Sequence, residues 1–292
     1  MTARGDVGRV LVTGAAGRLG SAMLALLARE GCDVVATDLV PPPVESAVPF
    51  VRADLRDHRA ALEVLAGVDA VVHLGNRPGI GRRPPQVVFN DNVSINENVF
   101  QGAAEQGVGR IVFASTLQLI GSHPDTRTVV SPPAAPRFPL DGDTAPAPAN
   151  VYALSKTVSE VMLRYYAERC GIGAVALRFP LLHRGQDDVL VVTGEETQVD
   201  VAEGFTGLHV DDAAAAVLAV LRADLTGYHA YVPATSHRHR QLSMPELLAR
   251  HYPQVPPDAL DLVDVTALTR ATGWRPASSH YADRLDDRGA AT

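Results

Sequence analysis

Arg9-Val-Leu-Val-Thr13-Gly14-Ala15-Ala16-Gly17-Arg18-Leu19-Gly20 decides the fold of this 292-residue chain. A β-branched apolar run ends in threonine, and three glycines follow at the spacing of a turn that opens a helix. One glycine permits the tight turn, one lets backbone N–H groups approach a pyrophosphate, and one lets helix and strand pack closely. Asp38 ends the next β-branched run, 18 residues after Gly20, where a carboxylate accepts hydrogen bonds from both hydroxyls of an adenosine ribose. The same carboxylate repels a 2′-phosphate, and no arginine follows closely to neutralise one. The spacing therefore predicts NAD rather than NADP. Asp54-Leu55, after the third strand, either contacts the adenine amino group or supplies the cap of the next helix through Asp54.

From the glycine turn onward, short strand patterns alternate with helical ones: Val10 to Thr13, Ser21 to Glu30, Asp33 to Thr37, Ala60 to Ala66 and Ala70 to Leu74. The alternation continues with a helix over Val87 to Gln106, a strand Arg110 to Ala114, a helix Val151 to Cys170 and a strand Ala174 to Arg178. It predicts an α/β fold, a doubly wound parallel-sheet Rossmann fold with helices on both faces. After Arg178 the pattern breaks, then returns as a helix Asp211 to Arg222 and a strand Tyr228 to Val232 before a mostly helical tail. The expected division is an NAD-binding Rossmann domain of residues 1–178 and 208–234, with a small C-terminal substrate cap made from 179–207 and 235–292. Seven prolines between Ser122 and Ala149 forbid regular helix there and predict an extended loop.

Composition narrows the class. A net charge of −7 lacks the clustered basic excess that nucleic acid or an anionic membrane would require, so neither partner is expected. Cys32 and Cys170 are too few for a disulfide framework and lack the spacing of a metal site. His209-Val-Asp211-Asp212 is better read as an aspartate capping an alanine-rich helix than as ligands, so no metal is expected. Met1 to Gly8 carries no apolar signal core and Ala213 to Leu221 is too short to span a bilayer, which predicts a cytoplasmic protein.

One residue stands apart. Lys156 is the only lysine among the 26 basic residues, and it lies four positions after Tyr152, on the same face of a helix. A compact ammonium tunes a neighbouring pKa in a way that guanidinium does not. Tyr152 alone, with an ordinary pKa of about 10, is a poor base, and a nearby ammonium favours its phenolate.

These residues together resemble the extended short-chain dehydrogenase/reductases of the NAD-dependent epimerase/dehydratase family. The resemblance covers nearly the whole chain. It is carried by the Thr13-to-Gly20 turn, Asp38, Asp54, His73-Leu74-Gly75, Asn92, Ser115-Thr116 with Gly121, Tyr152 and Lys156, Arg178, His209-Val-Asp211-Asp212 and Gly273-Trp274-Arg-Pro276. It implies cofactor contacts from Gly14, Ala16, Gly17, Arg18, Leu19, Gly20, Asp38, Asp54, Leu55, Leu74, Gly75, Tyr152, Lys156 and Pro180. It implies a catalytic group of Thr116, Tyr152, Lys156 and Asn92, with Asn92 alternatively a buried amide that satisfies backbone. Thr116 holds the reacting oxygen while Tyr152 removes the hydroxyl proton. Asn76, Thr116, Gln118 and Arg184 are the implied substrate contacts. Arg184 and Arg238 either hold an anionic group or are surface arginines.

Members of the family divide into dehydrogenases, epimerases and lyases. Leu117-Gln118 follows Thr116 where similar dehydratases carry an acid and a base, which disfavours a lyase. Only 31 residues separate Arg178 from His209, a short segment for holding a nucleotide diphosphate, so a small non-nucleotide substrate is expected. The outline is nearest to uronate dehydrogenase-like members, although those carry Asn-His where this chain has Leu117-Gln118. The leading reading is an NAD-dependent oxidoreductase acting on a secondary alcohol of a small sugar, sugar acid or related metabolite. An epimerase that retains its NAD and a non-catalytic dinucleotide sensor are the alternatives. The resemblance also implies a homodimer through the Val87 and Tyr152 helices. Val158, Met162 and Tyr166 there belong either to the core or to the partner face.

Overall fold

The computed structural model describes residues 7–42, 48–79, 83–121, 138–184, 201, 203–236, 244–256 and 262–277. In chain order the elements are β1 (Arg9–Thr13), α1 (Arg18–Arg29), β2 (Asp33–Asp38), β3 (Phe50–Arg52), α2 (His58–Leu65), β4 (Ala70–His73), α3 (Pro85–Glu105), β5 (Arg110–Thr116) and α4 (Gln118–Gly121). They continue as α5 (Val151–Cys170), β6 (Gly173–Phe179), β7 (Leu181–His183), β8 (Thr206–His209), α6 (Val210–Arg222), β9 (Tyr228–Tyr231), β10 (Thr235–Ser236), α7 (Met244–His251) and α8 (Thr266–Thr272).

Seven strands form one parallel sheet in the order β3-β2-β1-β4-β5-β6-β9. Every residue of β6 is buried, and so is all of β1 except Arg9. Burial on both faces is why these strands read as near-continuous apolar runs rather than as alternating ones. Val10 and Val12 point to the α1 and α6 side with Met23, Leu27, Val217 and Leu221. Leu11 points to the opposite side, with Ile111 of β5 and with Phe100 and Leu163 of the α3 and α5 layer.

The sequence missed a second, three-stranded sheet in the order β10-β8-β7. Strands of two to four residues are too short to carry a periodicity. α1 begins at Arg18 rather than Ser21, because the glycine turn feeds the helix directly: the Ser21 N–H bonds to the Gly17 carbonyl at 2.9 Å. α5 spans the predicted residues, with the Asn150 side chain accepting from the Ala153 N–H at 2.8 Å and Gly171 closing it at φ 72°.

Of the proline-rich stretch, 122–137 lies outside the described residues, as do 185–200 and Arg238. Where the chain is described again, Leu140 is buried, and its backbone pairs with Leu262 and Asp264. Phe205, Leu247, Leu248, Tyr252 and Leu262 form an apolar cluster separate from the two that cover the large sheet. The C-terminal ends of β1, β4, β5 and β6 open on one crevice, where the strand order reverses between β1 and β4. Ligands bind at this switch point in open α/β sheets.

Candidate active site

The glycine turn and the segment after β4 touch backbone to backbone. Gly14 has φ +65°, and a Cβ added there would stand 2.6 Å from the Leu74 carbonyl carbon. A Cβ at Gly20 would collide with the Gly14 carbonyl oxygen. Thr13, fully buried, ties the two segments: its Oγ1 accepts the N–H groups of Leu74 and Gly75, each at 3.1 Å. Asp38 accepts the Ala16 N–H at 3.0 Å through Oδ2 and the Leu39 N–H at 2.6 Å through Oδ1. Each carboxylate oxygen retains acceptor capacity for the adjacent hydroxyls of a ribose. A glycine turn packed this closely on the segment after β4, with a carboxylate at one end, fits a dinucleotide.

Around this cradle, Arg18 donates to the Leu182 carbonyl at 2.5 Å, and Arg184 Nη2 reaches the Arg18 carbonyl at 3.4 Å. The turn is thereby linked to β7, immediately beyond Pro180. The α2 cap is Asp57, whose side chain accepts from Arg59 and Ala60, so the capping alternative for Asp54 falls. Asp54 instead chelates Arg56, whose side-chain hydrogen bonds hold the carboxyl below its usual range. Leu55 is buried, and its carbonyl accepts from Asn98 at 2.9 Å.

Capping by Asn150 puts Tyr152 in the first turn of α5, where the Thr116 side chain at the end of β5 acts on its hydroxyl to favour the phenolate. Lys156 follows one turn later and is 3% exposed. Its Nζ donates to Asn76 Oδ1 at 2.6 Å and to the Ala114 carbonyl at 2.7 Å, over the Phe113 ring. Thr116, Tyr152, Lys156 and Asn76 are thus brought together at the crevice.

Burial pushes the Lys156 ammonium down to about 7, against the opposing pull of Glu160. Burial likewise raises Tyr152 to about 12; Thr116 acts the other way, and the Glu203 carboxylate adds to the rise. Nζ lies 5.9 Å from the Tyr152 ring centre and is turned toward Asn76 and Ala114.

Asn92 is the buried amide of the two alternatives. Its Oδ1 accepts the Arg77 N–H at 2.8 Å, while Nδ2 donates to the Arg77 carbonyl and to Ser155 Oγ. It clamps the segment after Gly75 and braces α5, but the bonds of its amide reach neither Thr116 nor Tyr152. Asn96 and Ser159, four residues further along each helix, repeat the bridge at 2.5 Å.

The remaining motif residues take the following places, and one of them corrects the sequence reading. Leu117 packs into the core with Leu119, Ile120 and Leu140, and Gln118 beside it is half-buried, its N–H bonding Thr116 Oγ1 at 3.3 Å. The cap of α6 is His209 rather than an aspartate: Nδ1 accepts the Asp211 N–H, and Nε2 donates to the Arg184 carbonyl. Asp212 secures the tail instead, its carbonyl accepting Trp274 Nε1 and its Oδ1 the Ala277 N–H. Tyr166 and Met162 belong to the core, Tyr166 donating to Glu97 at 2.7 Å. The exposed stripe on α5 is Leu154, Val161 and Tyr165.

Sequence reasoning overlooked Glu160, Asn96 and Glu203. For the first two a signal existed: Tyr152, Lys156 and Glu160 stand four apart on one helix face, and Asn92 and Asn96 are likewise four apart.

The described residues contain no helix long and apolar enough to cross a membrane. Comparison with known proteins agrees with the geometry. A 179-residue stretch is 34% identical to an NAD-dependent glucose-6-phosphate dehydrogenase of Haloferax volcanii, covering 58% of this chain and 66% of that protein. A 173-residue stretch is 30% identical to a uronate dehydrogenase of Pseudomonas syringae pv. tomato, covering 58% of each. A UDP-glucose 4-epimerase of Corynebacterium glutamicum matches at 30% identity over 59% of this chain and half of that one. These matches span between half and about two thirds of the relatives' length. The solved uronate dehydrogenase of Agrobacterium tumefaciens superposes with a TM-score of 0.69 at 25% identity, over 98% of this chain and 90% of that one. Residues 10–187 match the model of the NAD dependent epimerase/dehydratase family, and to that family the chain belongs.

Proposed function

We propose that the protein is an NAD-dependent oxidoreductase that oxidises a secondary alcohol of a small sugar, sugar acid or related metabolite. The observation that carries this reading is the placing of Thr116 at the end of β5 with Tyr152 and Lys156 on the first two turns of α5, beside the dinucleotide cradle. When bound, NAD supplies the hydride acceptor. Tyr152 Oη takes the proton of the substrate hydroxyl, and Thr116 Oγ1 donates to the oxygen as it becomes a carbonyl. In its protonated form Lys156 retains one N–H beyond those given to Asn76 and Ala114. Asp38 orients the adenosine ribose. Asp54 and Leu55 lie toward the adenine end, and Pro180 toward the nicotinamide. Gln118 and Arg184 hold the substrate against Thr116, under a cap of residues 179–207 and 235–292. Two copies pair through α3 and α5, and the protein works in the cytoplasm.

An epimerase is the second reading, supported by the UDP-glucose 4-epimerase match. The short segment after Arg178 favours the dehydrogenase. A panel of free sugars, uronates and polyols incubated with NAD separates the two. NADH accumulating in proportion to substrate is the expected result. Stereochemical change without NADH selects the epimerase, and neither result from any compound on folded protein that binds NAD removes both.

A further inference from the structure

A string of side-chain hydrogen bonds runs from Lys156 to the glycine turn, and it has a single polarity. Ammonium only donates, so Asn76 presents Oδ1 to Lys156 Nζ at 2.6 Å and turns Nδ2 to Asn96 Oδ1 at 2.7 Å. Asn96 Oδ1 is therefore an acceptor, and the His73 Nε2 bonded to it at 2.8 Å carries the proton. His73 Nδ1 then accepts from the Thr13 hydroxyl at 2.7 Å, whose lone pairs face the Leu74 and Gly75 N–H groups. Thr13, His73, Asn92 and Asn96 are all fully buried. The Asn76 amide is pinned further by donation to the Gly75 carbonyl at 3.0 Å.

We infer that Asn76 is a positioning residue for the reaction: its carboxamide, fixed by Asn96 and His73, sets the place and the charge of the Lys156 ammonium instead of contacting substrate. Both N–H groups of the amide are engaged inside the protein, and its oxygen is turned to the ammonium. The amide oxygen and the Ala114 carbonyl are the two acceptors that replace water around a cation withdrawn from solvent. The other groups facing Lys156 are Glu160 one turn along α5, Tyr152 one turn before, His73 on β4 and the Phe113 ring on β5. Of these only Glu160 supplies negative charge, and it is itself shared with Arg178 and Ser115. A change at Asn76 is therefore read directly in the proton affinity of the amine.

This assignment rests on Lys156 serving the proposed reaction, but its test needs no turnover. Lys156 is the only lysine, so full-length protein grown on lysine labelled with carbon-13 at the ε position gives one lysine side-chain resonance. Its shift against pH reports the ammonium without overlap. Wild-type protein is expected to titrate near 7. Asn76→Leu, close in shape but without an acceptor, moves the midpoint down by about one unit, and Asn76→Asp moves it up by about one unit or more. Opposite shifts in two folded variants are not produced by a residue that merely fills space or binds substrate. Midpoints in both folded variants that match wild type overturn the inference. If Asn76→Leu does not fold, the Asn76→Asp arm decides alone: an upward shift upholds the role, and an unmoved midpoint ends it.

Discussion

Glu160 and Arg178 meet at 2.8 Å with side chains 6% and 5% exposed, on the same face of α5 that carries Tyr152 and Lys156. The carboxylate also accepts from Ser115 at 2.5 Å and from the Tyr228 hydroxyl at 3.0 Å, while Arg178 Nη1 donates to the Thr144 carbonyl at 2.8 Å. One ion pair thus joins α5 to β5, β6, β9 and the segment that follows the proline-rich stretch. Glu160→Ala leaves a guanidinium buried without its counter-charge and is expected to remove about 3–5 kcal/mol of stability. Urea unfolding of the two proteins checks this, and a loss under about 1 kcal/mol would place the pair among surface-like bridges.

Stability should depend on pH through His73. Burial holds the imidazole neutral, pushed down to about 3 from its ordinary 6.5. As pH falls below 6.5 the unfolded chain takes up a proton that the folded one refuses. Stability therefore drops from pH 6.5 toward 3, by about 1.4 kcal/mol per pH unit for this site. In His73→Gln that part of the slope is absent. Parallel unfolding midpoints for both proteins across the acid range would exclude His73 as its source.

The alkaline side carries a second pair of slopes. Lys156 gives up its proton near 7 when folded and near 10.5 when unfolded. The unfolded chain binds more protons in that window, so stability rises with pH from 7 toward 10. Tyr152, raised to about 12 from 10.0, keeps its proton longer in the folded chain. It reverses the trend above 10. Lys156→Met abolishes the rise, as thermal unfolding at pH 7 and pH 9.5 would register.

For the reaction itself, Tyr152→Phe is expected to lower turnover by about 10²–10⁴ on whichever substrate the panel identifies. NAD affinity should stay within a few fold. Lys156→Arg should lower turnover comparably, since guanidinium cannot place a compact charge between Asn76 and the Ala114 carbonyl. Wild-type rates in Lys156→Arg would return the lysine to the status of a generic cation.

Glu203 lies outside the sequence motifs, yet its carboxylate disfavours the Tyr152 phenolate. Removing that charge by Glu203→Gln should move the pH-activity midpoint of the free enzyme to lower pH. A midpoint moved upward would mean that the carboxylate supports the base.

Association can be tested on α5. Leu154, Val161 and Tyr165 are 43%, 66% and 56% exposed, and their spacing lays them along one stripe. Val161→Glu with Tyr165→Glu should convert a dimer to monomer in light scattering, with helical content unchanged. A wild-type protein that is already monomeric at high concentration ends that reading.

Much of this was legible in the residues because local rules were sufficient. Glycine spacing, β-branched runs and helical patterning each act within a few positions, and they located the large sheet, the cradle and the full length of α5. What escaped depends on side chains distant in sequence. Asn92 is 63 residues from Ser155, and His73 is 60 from Thr13, and nothing in one segment announces the other. The His209 cap was misread for a different reason. A histidine and an aspartate two positions apart both cap helices, and only the path of β8 into α6 decides which side chain folds back on the first turn.

The paired bridges Asn92–Ser155 and Asn96–Ser159 have a consequence for how such an enzyme can change over time. They act as indexing pins, so α5 cannot roll or slide by one residue without withdrawing both. The stripe of Leu154, Val161 and Tyr165 and the row of Tyr152, Lys156 and Glu160 are opposite sides of one keyed rod. Substitutions on the outer side can therefore alter what the protein assembles with, generation after generation, without retiming the chemistry on the inner side.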